Sequence, residues 1–208
     1  VKHRLPSGEL SRHAVVFGKE SNLRQGWSVP NGLAEQTCGS CRSPHDGQYR
    51  TLTPEVSVEI QETLGVDIAM AFDECIEWPA ERDRVARSTE RTTRWLKRCM
   101  VARRHPDRTA LLGIVQGGFY GDLREAHAHE IVELDLDGYA IGGLSVGEPT
   151  DELLGMVETT TPHLPNDKVR YLMGVGYPVN LVDAVMRGVD IFDCVIPTRS
   201  GRFGYAFT

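Results

Sequence analysis

No stretch of this 208-residue chain approaches the ~20 consecutive apolar residues that a membrane-spanning helix needs. The first residues, VKHRLPSGEL, hold no apolar segment of the kind a secretory leader carries, so a soluble, cytoplasmic protein is expected. Basic residues are not in excess either. The net charge is −6, which excludes a generally basic nucleic-acid binder and leaves any RNA contact to a local patch. Disulfide spacing is missing as well: five cysteines, an odd number, are scattered at positions 38, 41, 75, 99 and 194, which fits a reducing compartment. What is present is apolar content of 40%, enough for a sizeable core in one domain or part of a larger one.

Pattern is poorest over residues 1–42, where only Val15–Phe17 resembles a strand, and this segment is read as ill-defined. From Thr53 a regular alternation begins. Thr53 stands at an N-cap position, Pro54 at the first helical position and Glu55 in the first turn, with Val56, Ile60 and Leu64 forming an apolar stripe that ends at Gly65. VDIAMAFDE then reads as a strand buried on both faces. A long charged helix follows, with Val85, Trp95, Leu96 and Cys99 on its inner face. TALLGIVQGG, LDGYAIGGLSVGE, KVRYLMGVG and VDIFDCVIPT read as further strands, separated by three helices, one of them capped by Thr150. Five apolar strands alternating with helices predict a parallel α/β sheet.

Each strand ends in residues that a packed core would not choose: Asp73-Glu74-Cys75, Gln116-Gly117-Gly118, Gly142-Gly143-Leu144, Met173-Gly174-Val175-Gly176, and Asp193-Cys194. The C-terminal ends of parallel strands share one face, which is the ligand face of barrels and of open α/β sheets alike. Paired glycines let a flat ligand lie against backbone, and the Asp73 carboxylate with the Gln116 amide suits a heterocycle edge such as that of a purine. Tight turns and a capping role for Asp73 are the alternative. Asp193 is the sharpest case, because a carboxylate in a buried strand is costly unless it is paired or used. It is either salt-bridged to Arg199 or Arg202, or it is a nucleophile or base.

MAFDEC, GIVQGG, GGLSVGE, YLMGVGYPVNLVDAV and GVDIFDCVIPTRSGR, in this order, resemble the bacterial tRNA-guanine transglycosylase family. The resemblance covers roughly Ser43 to Thr208. It implies a (β/α)8 TIM barrel, incomplete here, with about five βα units over residues 43–208. It implies that Asp193 is the nucleophile, attacking the ribose C1′ of a wobble guanosine in tRNA, and that 7-aminomethyl-7-deazaguanine then displaces the covalent ester with net retention. Asp73, Gln116 and Gly143 match residues that bind the base, Leu144 and Met173 residues beside it, and Cys75 and Val146 the pattern that favours the aminomethyl base over queuine. Gly174, Val175, Gly176, Tyr177, Pro178, Val179 and Asn180 match an RNA-contacting stretch. Thr198, Arg199, Ser200, Gly201 and Arg202 match the loop that reads the anticodon around the wobble position. The family is commonly homodimeric.

The chain also departs from the family. A second catalytic aspartate, in a TDSGGFQ motif, has no counterpart in residues 1–42, so the general acid/base is unassigned. The family's zinc ligands, three cysteines and a histidine, fall beyond Thr208, and no metal or cofactor is expected in this chain. Cys38 and Cys41 have metal-type spacing and His45 is near, but tetrahedral zinc needs four ligands and the pair is read as incidental. These departures lead to the expectation of a fragment or mis-framed gene product, either enzymatic or a non-catalytic tRNA-binding or dimer-partner homologue.

Overall fold

The structure is a computed structural model, and it describes residues 39–42 and 48–205. Cys38, His45 and the expected strand Val15–Phe17 lie outside the described residues, as does the side chain of Cys41. Two short strands, β1 (Gly39–Arg42) and β2 (Tyr49–Leu52), pair antiparallel in a hairpin that the sequence pattern did not announce. The rest is the expected alternation. Strands β3 (Ile68–Met70), β4 (Ala110–Val115), β5 (Gly138–Ile141), β6 (Val169–Leu172) and β7 (Ile191–Phe192) form a parallel sheet in the order β3-β4-β5-β6-β7. Helices α1 (Pro54–Leu64), α2 (Arg82–Ala102), α3 (Gly121–Val132), α4 (Thr150–Thr160), α5 (Pro178–Val185) and α6 (Ile196–Arg202) accompany it. Sequential order with every strand parallel is the connectivity of a (β/α) barrel, of which five units curl into a half-barrel here. No described helix is long and apolar enough to cross a membrane.

Side-chain alternation along the strands sorts the core into two faces. Leu111 and Val115 of β4, with Tyr139, Ile141 and Leu172, pack outward against Leu96, Cys99, Ile131 and Val157 of the helices. Leu112, Ile114, Ala140 and Tyr171 form the inner face, with Met173 and Ile191 packed against them. Val85, Trp95, Leu96 and Cys99 of α2 are all buried, as their spacing predicted.

Helix α1 forms where expected, but its stripe faces the other way. Val56, Ile60 and Leu64 are 38%, 40% and 54% exposed, while Val58 and Gln61 are buried. The reason lies in β3, an edge strand with no partner beyond it among the described residues. Met70 needs its backbone groups satisfied once buried. The Gln61 amide supplies both bonds: Nε2 donates to the Met70 carbonyl at 3.0 Å, and Oε1 accepts from the Met70 N–H at 2.8 Å. A polar residue therefore occupies the inner face as a substitute strand.

The Thr53 hydroxyl accepts from the Val56 N–H at 3.2 Å, so it is the N-cap that the sequence indicated. Thr53→Ala is expected to cost about 1 kcal/mol, read as a lower urea midpoint at unchanged slope. Two local expectations need correcting. Thr150 does not cap α4: Pro149 is the N-cap and Thr150 is the first helical residue. The stretch Thr198–Arg202 is not a loop. β7 ends at Phe192, so Asp193 and Cys194 follow the strand, and Ile196–Arg202 form α6 with Pro197 in its first turn. Proline is tolerated there because the first helical N–H groups need no intrahelical partner.

Candidate active site

The C-terminal ends of β3, β4 and β5 meet through the Gln116 side chain. Its Nε2 donates to Asp73 Oδ2 at 2.7 Å, and its amide oxygen lies against Gly143. A Cβ at Gly143 would fall 2.5 Å from that oxygen, and the backbone there has φ +67°, so both space and conformation require glycine. The Asp73 loop is anchored on α2, where the Phe72 N–H donates to Cys99 Sγ at 3.3 Å and the Glu74 N–H to Thr92 Oγ1 at 3.1 Å.

Behind this rim stand two buried groups of α3 that sequence reasoning missed. The Gln116 N–H donates to His127 Nδ1 at 2.8 Å. That fixes the tautomer: Nε2 carries the proton and donates to Thr93 Oγ1 at 3.0 Å, and Thr93 donates onward to Glu130 Oε2 at 3.0 Å. Arg124, 0% exposed, donates from Nε to the Gly118 carbonyl at 2.6 Å and from Nη2 to the Gly142 carbonyl at 2.9 Å. It thereby clamps the two glycine turns to each other. Burial pulls its guanidinium down to about 10, which still leaves it charged at neutral pH. A signal for both existed, because Arg124, His127, Ala128 and Ile131 follow the i, i+3, i+4, i+7 spacing of an inner face.

Burial pulls the His127 imidazole down to about 4, and the charge of Arg124 acts in the same direction. Its unfolded value is near 6.5, so between those values the unfolded chain binds the extra proton. Stability from this site is full above pH 6.5 and is lost as the pH falls toward 4, with a ceiling of about 3 kcal/mol. Urea unfolding at pH 7 and pH 4.5 is expected to differ more for the parent than for His127→Gln. Equal pH dependence in the two proteins would remove His127 from the account.

At the other end of the rim, Asp193 is partly exposed, not locked in the core. Its Oδ1 accepts from the Gly174 N–H at 3.1 Å. The Gly174 carbonyl in turn accepts from Ser145 Oγ at 2.9 Å, which ties the β6 end to the β5 end. The Glu148 carboxylate holds that turn by accepting from the N–H groups of Ser145 and, at 2.8 Å, Val146. Arg199 and Arg202 make no ion pair with Asp193, so the salt-bridge explanation of this carboxylate fails. The charged residue's neighbour is Tyr171, whose hydroxyl is buried without a hydrogen bond of ordinary geometry. Burial, and then the charge of Asp193, pushes that phenol up. Gly176 packs against Cys194, whose Cβ lies 2.2 Å from where a Gly176 side chain would begin.

The other expected site residues fall as follows. Cys75 is partly buried on the loop after Asp73, Leu144 is 5% exposed in the outer core, and Met173 is packed on the inner face. Gly174 and Gly176 lie in the turn into α5, Tyr177 is its N-cap and Pro178, Val179 and Asn180 form its first turn, with Tyr177 and Val179 well exposed, whereas Val175 is 3% exposed and belongs to the core. Thr198, Arg199, Gly201 and Arg202 are exposed on α6 and Ser200 is half-buried. A cavity of about 210 Å³ opens beside the rim among Trp78, Val85, Phe119 and Tyr120. It shares Gly143 with the cluster but not Asp73, Gln116, Met173 or Asp193.

The sequence profile described as queuine tRNA-ribosyltransferase matches residues 21–208. The chain belongs to this family. Proteins named queuine tRNA-ribosyltransferase from Acetivibrio thermocellus and Bacillus subtilis are each 56% identical to it over 167 residues, and one from Cyanothece is 54% identical over 165. These alignments cover 80%, 80% and 79% of this chain but only 45%, 44% and 43% of the relatives. The chain thus spans less than half the length of the curated relatives it matches. The set of three cysteines and a histidine through which the family resemblance implies zinc has no counterpart among the described residues. Cys75, Cys99 and Cys194 do not come together, so no step is routed through a metal.

Proposed function

We propose that this chain carries the nucleophile and the base-binding rim of a tRNA-guanine transglycosylase, exchanging the wobble guanine of tRNA for 7-aminomethyl-7-deazaguanine. One observation carries the reading. Asp73, Gln116, Gly143, Gly174 and Asp193, each at the end of a successive strand, stand on one rim, and Asp193 presents a carboxylate there with no ion-pair partner among the described residues. The family membership and the identity to relatives named queuine tRNA-ribosyltransferase support the same assignment.

In this reaction the Asp193 carboxylate attacks C1′ of the guanosine ribose. The C1′–N9 bond breaks, its electron pair leaves with guanine, and guanine takes up a proton. The incoming deazaguanine then loses a proton and attacks C1′, and the aspartyl ester bond breaks to restore the carboxylate. Two displacements at one carbon retain configuration. The Gly174 N–H steadies the carboxylate in both stages. The Asp73–Gln116 pair offers an acceptor and a donor to the purine edge, and the absence of a side chain at Gly143 lets the ring approach the backbone. The nucleotide must leave its stack to reach this rim. Tyr177 and Val179, exposed at the start of α5, with Arg199 and Arg202 exposed on α6, would be the groups to contact neighbouring anticodon bases and phosphates.

The test is exchange of labelled guanine into a tRNA bearing a wobble guanosine. Incorporation supports the proposal. tRNA binding without incorporation supports instead a non-catalytic tRNA-binding homologue.

A further inference from the structure

On the outer layer, away from the strand-end rim, α3 and the 3₁₀ turn at Thr161–His163 bring two imidazoles face to edge. His129 Nε2 and His163 Nδ1 are 3.0 Å apart. Glu125 lies one helical turn before His129, on the same face of α3, and one ligand atom from each of the three lies within 4.8 Å of the others. A hydrogen bond between two neutral rings would use a single proton and leave Glu125 no part. A bound cation uses all three.

The spacing suits one. With metal–nitrogen bonds of ~2.0–2.1 Å, two imidazole nitrogens on a tetrahedral ion stand roughly 3.3 Å apart, so the pair must open by only about 0.3 Å. Glu125 is exposed, and a change of side-chain rotamer there can bring its carboxylate in to close the third bond. Water completes the shell, because Glu125 and His129 face solvent. His129 also lies in the last turn of α3, where the helix dipole favours positive charge. Two imidazoles with one carboxylate select zinc and its first-row neighbours over magnesium or calcium.

We propose that Glu125, His129 and His163 form a surface zinc-class site that pins α3 to the turn after α4. It uses none of the cysteines, and it is independent of the proposed reaction. Its structural consequence is local: α3 also carries Arg124 and His127, the two groups that hold the pocket turns from behind.

The test titrates the full chain with zinc by calorimetry and thermal unfolding, beside His129→Ala/His163→Ala, His129→Gln and Glu125→Gln. Any cysteine site binds equally in all four and cancels. The parent is expected to bind one zinc more than the double variant. Its unfolding midpoint should rise by ~5 °C or more at a hundredfold excess over Kd, a gain the double variant lacks. His129→Gln should weaken the extra site by at least the ~10–100-fold that losing even an outer-shell partner costs. Cobalt(II) in the extra site should give d–d bands without a thiolate charge-transfer band. Equal stoichiometry and midpoint shift in the parent and the double variant overturn the site. Should the double variant not fold, unchanged affinity in both single variants overturns it equally.

Discussion

On the proposed reaction, Asp193→Asn is expected to bind tRNA and fail to exchange its base, with the rate of guanine incorporation falling by more than ~10³-fold, as for a group that forms the covalent bond itself. The substitution is nearly isosteric. The asparagine Oδ1 still accepts from the Gly174 N–H that now meets Asp193 at 3.1 Å, so the turn after β6 keeps its shape. Only the proposed nucleophile is removed, since a neutral amide forms no stable ester with C1′. The separation between binding and chemistry is therefore the readout: tRNA affinity within a few-fold of the parent, no covalent adduct on a denaturing gel, and no exchange. If the variant keeps exchange within ~10-fold of the parent, the attacking group is another residue and the role given to Asp193 is wrong.

The repeating pattern of strand and helix was legible because β3, β4 and β5 are buried on both faces and stand out as apolar runs even when only three to six residues long, while the half-buried β6 and β7 keep enough apolar residues to continue the rhythm. The strand-end residues were legible for the opposite reason: polar and glycine residues directly after an apolar run have no packing excuse. What could not be read was anything set by a partner distant in sequence. Gln61 is polar and sits inside because it completes the edge of β3, and no local pattern announces that. The spacing of Arg124 with His127, Ala128 and Ile131 marks it as inward-facing, but the Gly142 carbonyl it binds lies 18 residues away and no local pattern names it. The segment after Asp193 misled through Pro197, which reads as a breaker unless the helix start is placed just ahead of it.

Arg124 carries the second large expectation, and the three substitutions that test it should rank in an order that charge alone does not give. Arg124→Ala loses two charge-assisted bonds, each about 2 kcal/mol, and strands the carbonyls of Gly118 and Gly142. It also empties the fully buried space of the stem, at roughly 2 kcal/mol more. Against this, removing a buried charge returns something: the pull of burial on the guanidinium, down to about 10, corresponds to about 3 kcal/mol of burial cost. The net loss is on the order of 3 kcal/mol, a large share of the ~5–15 kcal/mol that holds a typical domain together. Arg124→Met loses the same bonds but fills the stem and discards the charge, so its net loss is about 1 kcal/mol. Arg124→Lys keeps the burial cost and offers a point charge where a planar fork spans two carbonyls, so one bond goes and nothing offsets it. Urea unfolding should therefore place lysine below methionine. A lysine variant as stable as the parent would mean that a buried positive charge suffices there and that the fork does not hold the two glycine turns. If the fork does hold them, both the methionine and the lysine variants loosen Gly143 against Gln116, and guanine binding weakens in both even where most of the stability survives.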